Sequence, residues 1–298
     1  MNDKRCDLCP RNCLVDRSQK VGFCGEGSKV RVARAAPHFW EEPCISGEKG
    51  SGTVFFTGCN LRCVFCQNRH ISKGEYGIKL NCESLVQLFF ELSKKGVHNI
   101  NLVTPTHFTS QIVKAVSEAK NYGFDLPFVW NSSAYEKSEV LNALHGLIDV
   151  YLPDFKYKSP YLAKRYSNAE DYFETATKAI DEMLNQVGEP VFEKGLMKKG
   201  VIVRHLVLPD CTADSKTVLR HLYSRYGDKI YISIMNQYTP ISAELPDSLS
   251  RRTTKEEYLS VVEYAAELGI KNGFIQDGDS ARESFIPDFD YTGLERFL

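Results

Sequence analysis

The stretch "TVFFTGCNLRCVFCQN", residues 53–68, joins a short apolar run to three closely spaced cysteines. Cys59, Cys63 and Cys66 follow the spacing C-x3-C-x2-C, and the stretch contains no fourth cysteine. Three thiolates can hold three corners of a cubane [4Fe–4S] cluster and leave the fourth iron open. A closed structural site would instead use four protein ligands. The spacing therefore favours an iron–sulfur site open to a further ligand, and a zinc site completed by a distant residue such as Cys44 is the alternative.

The apolar run at 53–57 is the first of six candidate strands. All six are short and rich in β-branched and aromatic residues, which suits strands buried on both faces. The other five are 99–103, 127–130, 149–153, 201–208 and 230–235. Amphipathic helical patterns lie between them, and several end in glycine, which terminates helices. We therefore predict an α/β fold of at least six β-α units, as either an open doubly wound sheet or a β/α barrel.

Composition describes an ordinary globular protein with a sizeable core. The chain has 298 residues, of which 43% are hydrophobic and 25% are charged. A formal net charge of −1 gives no indication of a surface for nucleic acid or membranes. The N-terminal "MNDKRCDLCP" lacks the apolar run of a signal peptide, and no segment reaches transmembrane length. These features predict a cytoplasmic protein.

Ten cysteines are many for a chain in a reducing compartment, and eight of them fall within the first 66 residues. Disulfides are disfavoured there, so this clustering indicates metal binding. The spacing C-x2-C-x3-C-x10-C is formed by Cys6, Cys9, Cys13 and Cys24. Four thiolates make a closed site for structural zinc or for an auxiliary [4Fe–4S] cluster. We predict that residues 1–50, with one strand-like stretch at 29–36, form a module held together by this metal.

The cysteine motif, with Phe65 immediately before its last cysteine, resembles the signature of the radical S-adenosylmethionine (SAM) superfamily. The wider phrase "FFTGCNLRCVFCQN" resembles the pyruvate formate-lyase-activating enzymes, especially relatives with an N-terminal cysteine module. The resemblance covers roughly residues 1–245. It implies a partial (β/α)6 TIM-like barrel of the radical SAM type over residues 51–245. Residues 246–298 are then a helical and strand extension that packs on the barrel.

The resemblance also implies an activity. In that superfamily SAM binds the open iron, and one electron from the cluster cleaves SAM to a 5′-deoxyadenosyl radical that abstracts hydrogen from a substrate. The implied partners are a reductant such as flavodoxin or ferredoxin and a protein whose glycine loses hydrogen. Another peptide, a small molecule or a nucleic-acid base is the alternative substrate. A noncatalytic iron–sulfur or zinc protein that transfers electrons is the alternative from another class.

The residues implied to contact SAM lie at the carboxyl ends of successive strands, where active sites of both architectures collect. After the second strand, "TPTH" replaces a Gly-Gly-Glu-like segment, so Thr104 and Thr106 are expected to receive the SAM amino group. A tight turn without a ligand is the alternative. Asp154 and Lys156 match an Asp-x-Lys pattern and share one face of an extended segment. Lys156 is expected to neutralise the SAM carboxylate, and Asp154 to hold a cation or a ribose hydroxyl; a surface ion pair is the alternative.

Further strand ends supply the remaining candidates. The other expected SAM contacts are Asn68, Asn131, Ser132, Arg204 and Asn236. Of these, Asn131 and Ser132 match a position near the SAM carboxylate and a monovalent cation. Candidates for contact with the substrate are His107, His205 and Tyr238, with Gln237 as a further hydrogen-bonding residue. Of the two histidines, His205 lies on the opposite face of its strand from Arg204, where a packing role is an equal alternative.

Overall fold

The computed structural model describes residues 4–241, 245–276 and 287–298. Its strands are β1 (Val30–His38), β2 (Ser51–Phe56), β3 (Ile78–Leu80), β4 (Ile100–Val103), β5 (Phe128–Ser132), β6 (Val150–Pro153), β7 (Val191–Glu193), β8 (Leu196–Leu206), β9 (Tyr231–Met235) and β10 (Gly273–Ile275). Its α-helices are α1 (Pro43–Ser46), α2 (Arg69–Ser72), α3 (Cys82–Lys94), α4 (Thr109–Asn121), α5 (Ser138–Leu141), α6 (Pro160–Ser167), α7 (Tyr172–Val187), α8 (Thr212–Tyr226) and α9 (Lys255–Glu267). None of the helices in these ranges combines the length and the apolar character needed to span a bilayer.

One mixed sheet organises the fold. Its strand order is β10-β9-β8-β6-β5-β4-β2-β1-β3, and β7 pairs with β8 outside this path. Along this path, every neighbouring pair from β10 to β2 is parallel. In contrast, β1 runs antiparallel to β2 and β3. Because the path ends at β3 and β10 within the described residues, the barrel is partial. The predicted α/β class with a parallel sheet is confirmed.

Four strands lie outside the six that the sequence predicted, namely β1, β3, β7 and β10. The stretch predicted as part of the N-terminal module is β1, and it lies in the main sheet beside β2. A seventh parallel strand, β10, follows the six predicted ones and pairs with β9. At three residues β10 is too short to show a periodic pattern. The division of the chain after residues 50 and 245 stays a prediction.

The parallel strands separate two layers of core, because successive side chains of a strand point to opposite faces. Trp130 and Tyr151 lie on the outer face, in the large core that the helices cover. Val129, Val150 and Leu152 lie on the inner face and pack with residues of α1. The helix that fills the inner face therefore comes from the chain before β2.

Residues 39–46, here called the floor segment, close the barrel interior at the amino ends of the parallel strands. Since β1 is antiparallel to β2, with His38 opposite Ser51, the chain leaves β1 at that end. Helix α1 is then buried against residues of β5, β6 and β8. The side-chain amide of Asn99, just before β4, donates to the Ile45 carbonyl at 2.8 Å. Among the described residues, the floor segment thus closes the interior at the amino ends of the parallel strands.

The N-terminal cysteine region packs on the loop that follows β2. The N–H of Cys59 donates to the Cys24 carbonyl at 3.1 Å, and Arg11 Nε donates to the Asn60 carbonyl at 2.8 Å. Gly58 has a φ of +78°, and a Cβ there would lie 2.7 Å from the Cys24 carbonyl oxygen. Only glycine combines this backbone conformation with this close approach.

We predict that Gly58→Ala lowers the free energy of unfolding by about 2–3 kcal/mol. A left-handed backbone costs an L-residue about 1–2 kcal/mol, and crowding against the Cys24 carbonyl adds to that cost. Gly146→Ala is the matched control, since its φ is +74° and no described atom lies within 4 Å of the added Cβ. Urea unfolding of both variants measures the difference, and equal losses would contradict the role assigned to crowding at Gly58.

Candidate active site

A cavity of about 400 Å³ lies inside the barrel, between the floor segment and the carboxyl ends of the parallel strands. Cys59, Cys63 and Cys66 all lie in its wall. The expected SAM contacts in the same wall are Asn68, Thr104, Asn131, Ser132, Asp154, Lys156 and Arg204. This volume is within the range of small-molecule sites. The structure therefore brings most of the cofactor residues predicted from the sequence to one place.

The three thiols of the motif are half-buried in the cavity wall. Burial raises the pKa of the Cys66 thiol to about 12, and the neighbouring Cys59 and Cys63 add to the increase. Burial likewise raises the pKa of Cys63, against the positive charge of Lys156. Ser167 Oγ donates to Cys63 Sγ at 3.1 Å. Bound metal would lower these pKa values, because a metal cation favours the thiolate, so the donor set fits a cluster.

Asp154 forms ion pairs with two cations in the cavity wall. Its carboxylate oxygens lie 2.9 Å from Lys156 Nζ and 3.0 Å from Arg204 Nε. Burial alone would raise the pKa of Asp154, but the two cations hold it below its usual value. Burial alone would lower the pKa of Lys156, but Asp154 and Cys63 raise it. The Lys156 and Asp154 side chains are only 16% and 17% exposed, so this pair is a charged element of the cavity and not a surface ion pair.

Arg204 connects the ion pair to the floor segment. Its Nη2 donates to Asn131 Oδ1 at 2.6 Å, and its Nη1 donates to Glu41 Oε2 at 2.9 Å. The other oxygen of Glu41 accepts from Asn101 Nδ2 at 2.9 Å. Asn131 and Asp154 at the strand ends and Glu41 of the floor segment therefore surround the Arg204 guanidinium.

Residues 104–107, which replace the family's Gly-Gly-Glu-like segment, face two directions: Thr104 faces the cavity and Thr106 faces away from it. Thr104 has a φ of +60°, an uncommon conformation for a β-branched residue, and its N–H donates to the Asn131 carbonyl at 2.9 Å. Thr106 Oγ1 donates to Glu136 at 2.8 Å, and Ser132 Oγ donates to the same carboxylate at 2.5 Å. Burial raises the pKa of Glu136, and these hydroxyl donors oppose the increase. Glu136 thus fixes the segment from behind, and Thr104 is the part of it that faces the cavity.

The two candidate histidines do not line the cavity. His107 Nε2 lies 2.6 Å from the Thr57 carbonyl oxygen, and burial lowers the pKa of His107 to about 3. His205 Nδ1 lies 2.7 Å from the Phe155 carbonyl oxygen, and burial lowers its pKa as well. Both rings are therefore neutral and donate to a backbone carbonyl, a position that suits a packing role.

Tyr238 and Asn236 also lie behind the cavity wall. The Tyr238 hydroxyl donates to the Leu249 carbonyl at 2.5 Å, and its ring packs edge-on against Phe65 with centroids 6.2 Å apart. The backbone N–H of Asn236 donates to Gln276 Oε1 at 2.7 Å. These residues support the wall, and the intervening Gln237 lines it.

Sequence reasoning missed several polar residues of the cavity, four of which carry a carboxyl or an amide group. Glu41 and Glu42 come from the floor segment, and Gln67 and Gln276 lie near the strand ends. Gln67 Nε2 donates to the Gln237 carbonyl at 2.6 Å. The consecutive glutamates after the strand-like stretch were a usable signal, because two acidic residues seldom precede a buried segment without a partner. Gln276 follows a strand too short to recognise and carried no such signal.

The four N-terminal cysteines lie together beside this site. Burial raises the pKa of Cys9 to about 12 and that of Cys24 to about 11, and Cys6 and Cys13 add to both increases. In the ranges that the structure describes, no three His, Cys, Asp or Glu side chains are grouped tightly enough to hold a metal ion. Ligation at either cysteine set would therefore draw its thiols closer together.

Comparisons with known proteins agree with this geometry. Residues 53–192 match the radical SAM superfamily. An uncharacterized protein of Methanocaldococcus jannaschii is 30% identical over 280 residues, and the match covers 90% of this chain and 76% of that protein.

Two solved structures share the fold. Native anSMEcpe with bound AdoMet matches with a TM-score of 0.53 at 10% identity, over 74% of this chain and 61% of that one. Streptococcus suis SuiB bound to precursor peptide SuiA matches with a TM-score of 0.52 at 10% identity, over 74% of this chain and 47% of that one. The chain thus spans about half the length of SuiB. With three cysteines of the superfamily's spacing in the cavity wall, the matches in sequence and fold lead to one conclusion: the chain belongs to the radical SAM superfamily.

Proposed function

We propose that this protein is an enzyme that cleaves SAM reductively and removes a hydrogen atom from a substrate. When bound, a [4Fe–4S] cluster with SAM supplies the electron and the 5′-deoxyadenosyl radical for that step. The observation that carries the proposal is that Cys59, Cys63 and Cys66 share one cavity wall with Asp154 and Lys156. A protein that only transfers electrons has no use for a charged cavity of substrate size beside its cluster.

The charged residues of the wall have separate roles in this proposal. Lys156 would bind the SAM carboxylate by a charge-assisted hydrogen bond. Asp154 keeps Lys156 and Arg204 charged and oriented, since it pairs with both. Thr104 would receive the SAM amino group through its hydroxyl or its carbonyl, and a monovalent cation would lie near Asn131.

Aromatic packing holds the cluster loop, which is the loop after β2 that carries Cys59, Cys63 and Cys66, and shields one side of it from water. The ring of Phe65 is surrounded by the rings of Tyr157, Tyr166 and Tyr238, each edge-on at centroid distances of 6.2–6.4 Å. Such edge-to-face contacts contribute about 0.5–1.5 kcal/mol each beyond their buried area. Exclusion of water protects a radical from side reactions.

For the substrate we propose a glycine of a partner protein, as the resemblance to the pyruvate formate-lyase-activating enzymes implies. The amide side chains of Gln67, Gln237 and Gln276 lie in the cavity wall and offer both donors and acceptors to a peptide backbone. The electron would come from a flavodoxin or a ferredoxin. A small molecule or a nucleic-acid base remains the alternative substrate.

The test is anaerobic reconstitution with iron, sulfide, SAM and reduced flavodoxin, followed by mass spectrometry of candidate partner proteins. Transfer of deuterium from glycine-labelled partner into 5′-deoxyadenosine supports the proposal. Cleavage of SAM with deuterium transfer from a small molecule alone would replace the protein substrate by that alternative. Absence of SAM cleavage in a protein that carries its cluster would contradict the enzymatic proposal.

Simultaneous Cys→Ala substitution at positions 59, 63 and 66 should remove about four irons per chain, on the cubane stoichiometry, and all SAM cleavage. Cys82→Ala is the control, because that thiol lies at the start of α3, 3.3 Å from Glu118, and should change neither quantity. Iron analysis and release of 5′-deoxyadenosine are measured on the same samples. Undiminished cleavage in the triple variant would overturn the assignment.

Lys156→Ala should weaken SAM binding by about 1.5–3 kcal/mol, the range for hydrogen bonds to charged groups, while cluster assembly is retained. Lys158→Ala is the matched control two residues away, where the ammonium lies 3.8 Å from the centroid of the Phe173 ring. Anaerobic equilibrium dialysis with labelled SAM compares the two variants. Equal affinities would place the SAM carboxylate elsewhere.

For the N-terminal cysteines we propose a closed four-thiolate metal site of zinc or a second [4Fe–4S] cluster. Its members are Cys6, Cys9, Cys13 and Cys24. Burial raises the pKa of the Cys6 and Cys24 thiols, and the charge of the nearby Arg17 opposes the increase. Arg17 would thus offset part of the negative charge of a metal–thiolate centre. Folding of so short a segment would depend on the metal, because it has little apolar sequence with which to build a core.

Cys9→Ala should therefore expose the N-terminal residues to protease while the cluster of Cys59, Cys63 and Cys66 still assembles. Cys211→Ala, which removes a buried thiol at the start of α8, should not have this effect. Limited proteolysis with mass mapping measures the exposure, and metal analysis distinguishes zinc from iron. Equal protection of the N-terminus in both variants would count against the closed site.

A further inference from the structure

The floor of the cavity presents an acidic side chain, Glu42, that forms no ion pair with Lys156 or Arg204 at the cofactor end, the part of the wall that carries the cysteines and the expected SAM contacts. Glu42 is 8% exposed and lines the cavity. Within the described ranges, no donor lies within hydrogen-bond distance of its Oε2. The adjacent Glu41 differs, because Arg204 and Asn101 donate to its two oxygens. A buried oxygen without a partner costs about 1–3 kcal/mol, so Glu42 is a group that a ligand can complete.

The charge of the cavity wall shows which kind of ligand would complete it. Its described acidic residues are Glu41, Glu42 and Asp154, and its described basic residues are Lys156 and Arg204. His38 adds no charge, since burial lowers its pKa to about 4. The arginine is already bound by Asp154 and Glu41, and the lysine by Asp154. The wall therefore has one carboxylate more than its cations, and the excess lies at the floor.

The surroundings of Glu42 fit an apolar stem with a polar end. Phe55, Leu206 and Met235 are apolar residues of the same cavity wall. Burial raises the pKa of the Glu42 carboxyl, and the charge of Arg204 and a hydrogen bond with Ser233 oppose the increase. A ligand that reaches the floor would thus place carbon against these side chains and its end group against a carboxylate.

We propose that Glu42 binds an ammonium or guanidinium group of the substrate. The substrate then lies with its cation at the floor and its reactive hydrogen towards Cys59, Cys63 and Cys66. This inference rests on the proposed function, because it identifies the substrate class of the same site. A free amine and a lysine or arginine side chain of a peptide share this chemistry.

The test measures binding of matched probes to the full-length protein, reconstituted anaerobically with its cluster and SAM. The small-molecule arm compares n-butylamine with n-butanol. The peptide arm compares acetyl-Ala-Gly-Lys-Ala-amide with the same peptide carrying norleucine in place of lysine. We expect the cationic member of at least one pair to bind about tenfold to 100-fold more tightly, the factor for a hydrogen bond to a charged group. Preference in the peptide arm alone identifies a peptide substrate.

Glu42→Gln keeps the shape of the side chain and removes its charge, so the preference should fall to within about twofold. Cys44→Ala is the matched control, since it alters the same floor without changing a charge, and it should retain the preference. Iron content of both variants shows whether the cluster end is intact.

Two results would overturn the inference: equal affinities for the cationic and neutral probes in both arms, or a preference that survives in Glu42→Gln. Release of 5′-deoxyadenosine is followed in the same samples, so that the two proposals fail separately. Absence of the preference in the unsubstituted protein, with SAM cleavage intact, contradicts the floor site alone. A preference that the unsubstituted protein shows and Glu42→Gln removes, in samples without SAM cleavage, contradicts the proposed function alone.

Discussion

The guanidinium of Arg204 inside the barrel is the constraint on which the site depends. A permanent cation at 13% side-chain exposure is stable only if carboxylates and hydrogen-bond acceptors surround it. Asp154 supplies one carboxylate from the end of β6, and Glu41 supplies the other from the floor segment. Removing one member of such a buried set typically costs about 3–5 kcal/mol, because the remaining charge is left unpaired. The floor and the cofactor end are therefore fixed relative to each other by charge.

A second connection runs from the N-terminal cysteines to the cluster loop. The Cys24 carbonyl accepts from the Cys59 N–H, and Gly58 permits the approach through its left-handed backbone. The two cysteine sets are thus joined through one peptide hydrogen bond. A change in the packing of the first set would therefore bear directly on the backbone of Cys59, the first cysteine of the second set.

The sequence predicted those site residues that are charged yet lie in or directly after an apolar strand. Asp154, Lys156 and Arg204 stood out because a buried strand has no other need of charge, and all three line the cavity. The consecutive glutamates Glu41 and Glu42 indicated a need for partners, but no local pattern reveals that an antiparallel first strand delivers their segment into the barrel. Alternation along β8 separates two neighbouring residues: Arg204 faces the cavity, whereas His205 points to the opposite face of the strand. What sequence periodicity cannot supply is the path of the chain between elements.

The separate origin of the floor has a consequence for how such a protein diversifies. The strand ends that surround the cysteines belong to the repeated β-α units, whereas the base of the cavity comes from one stretch of eight residues, 39–46, ahead of the first unit. Substitutions in that stretch can alter the size and charge of the chamber while the cofactor end keeps its residues. Glu41 is the exception, because its ion pair with Arg204 ties it to the strands of the barrel. A change at Glu42 or its neighbours would therefore alter the base of the cavity and leave the wall that carries Cys59, Cys63 and Cys66 intact.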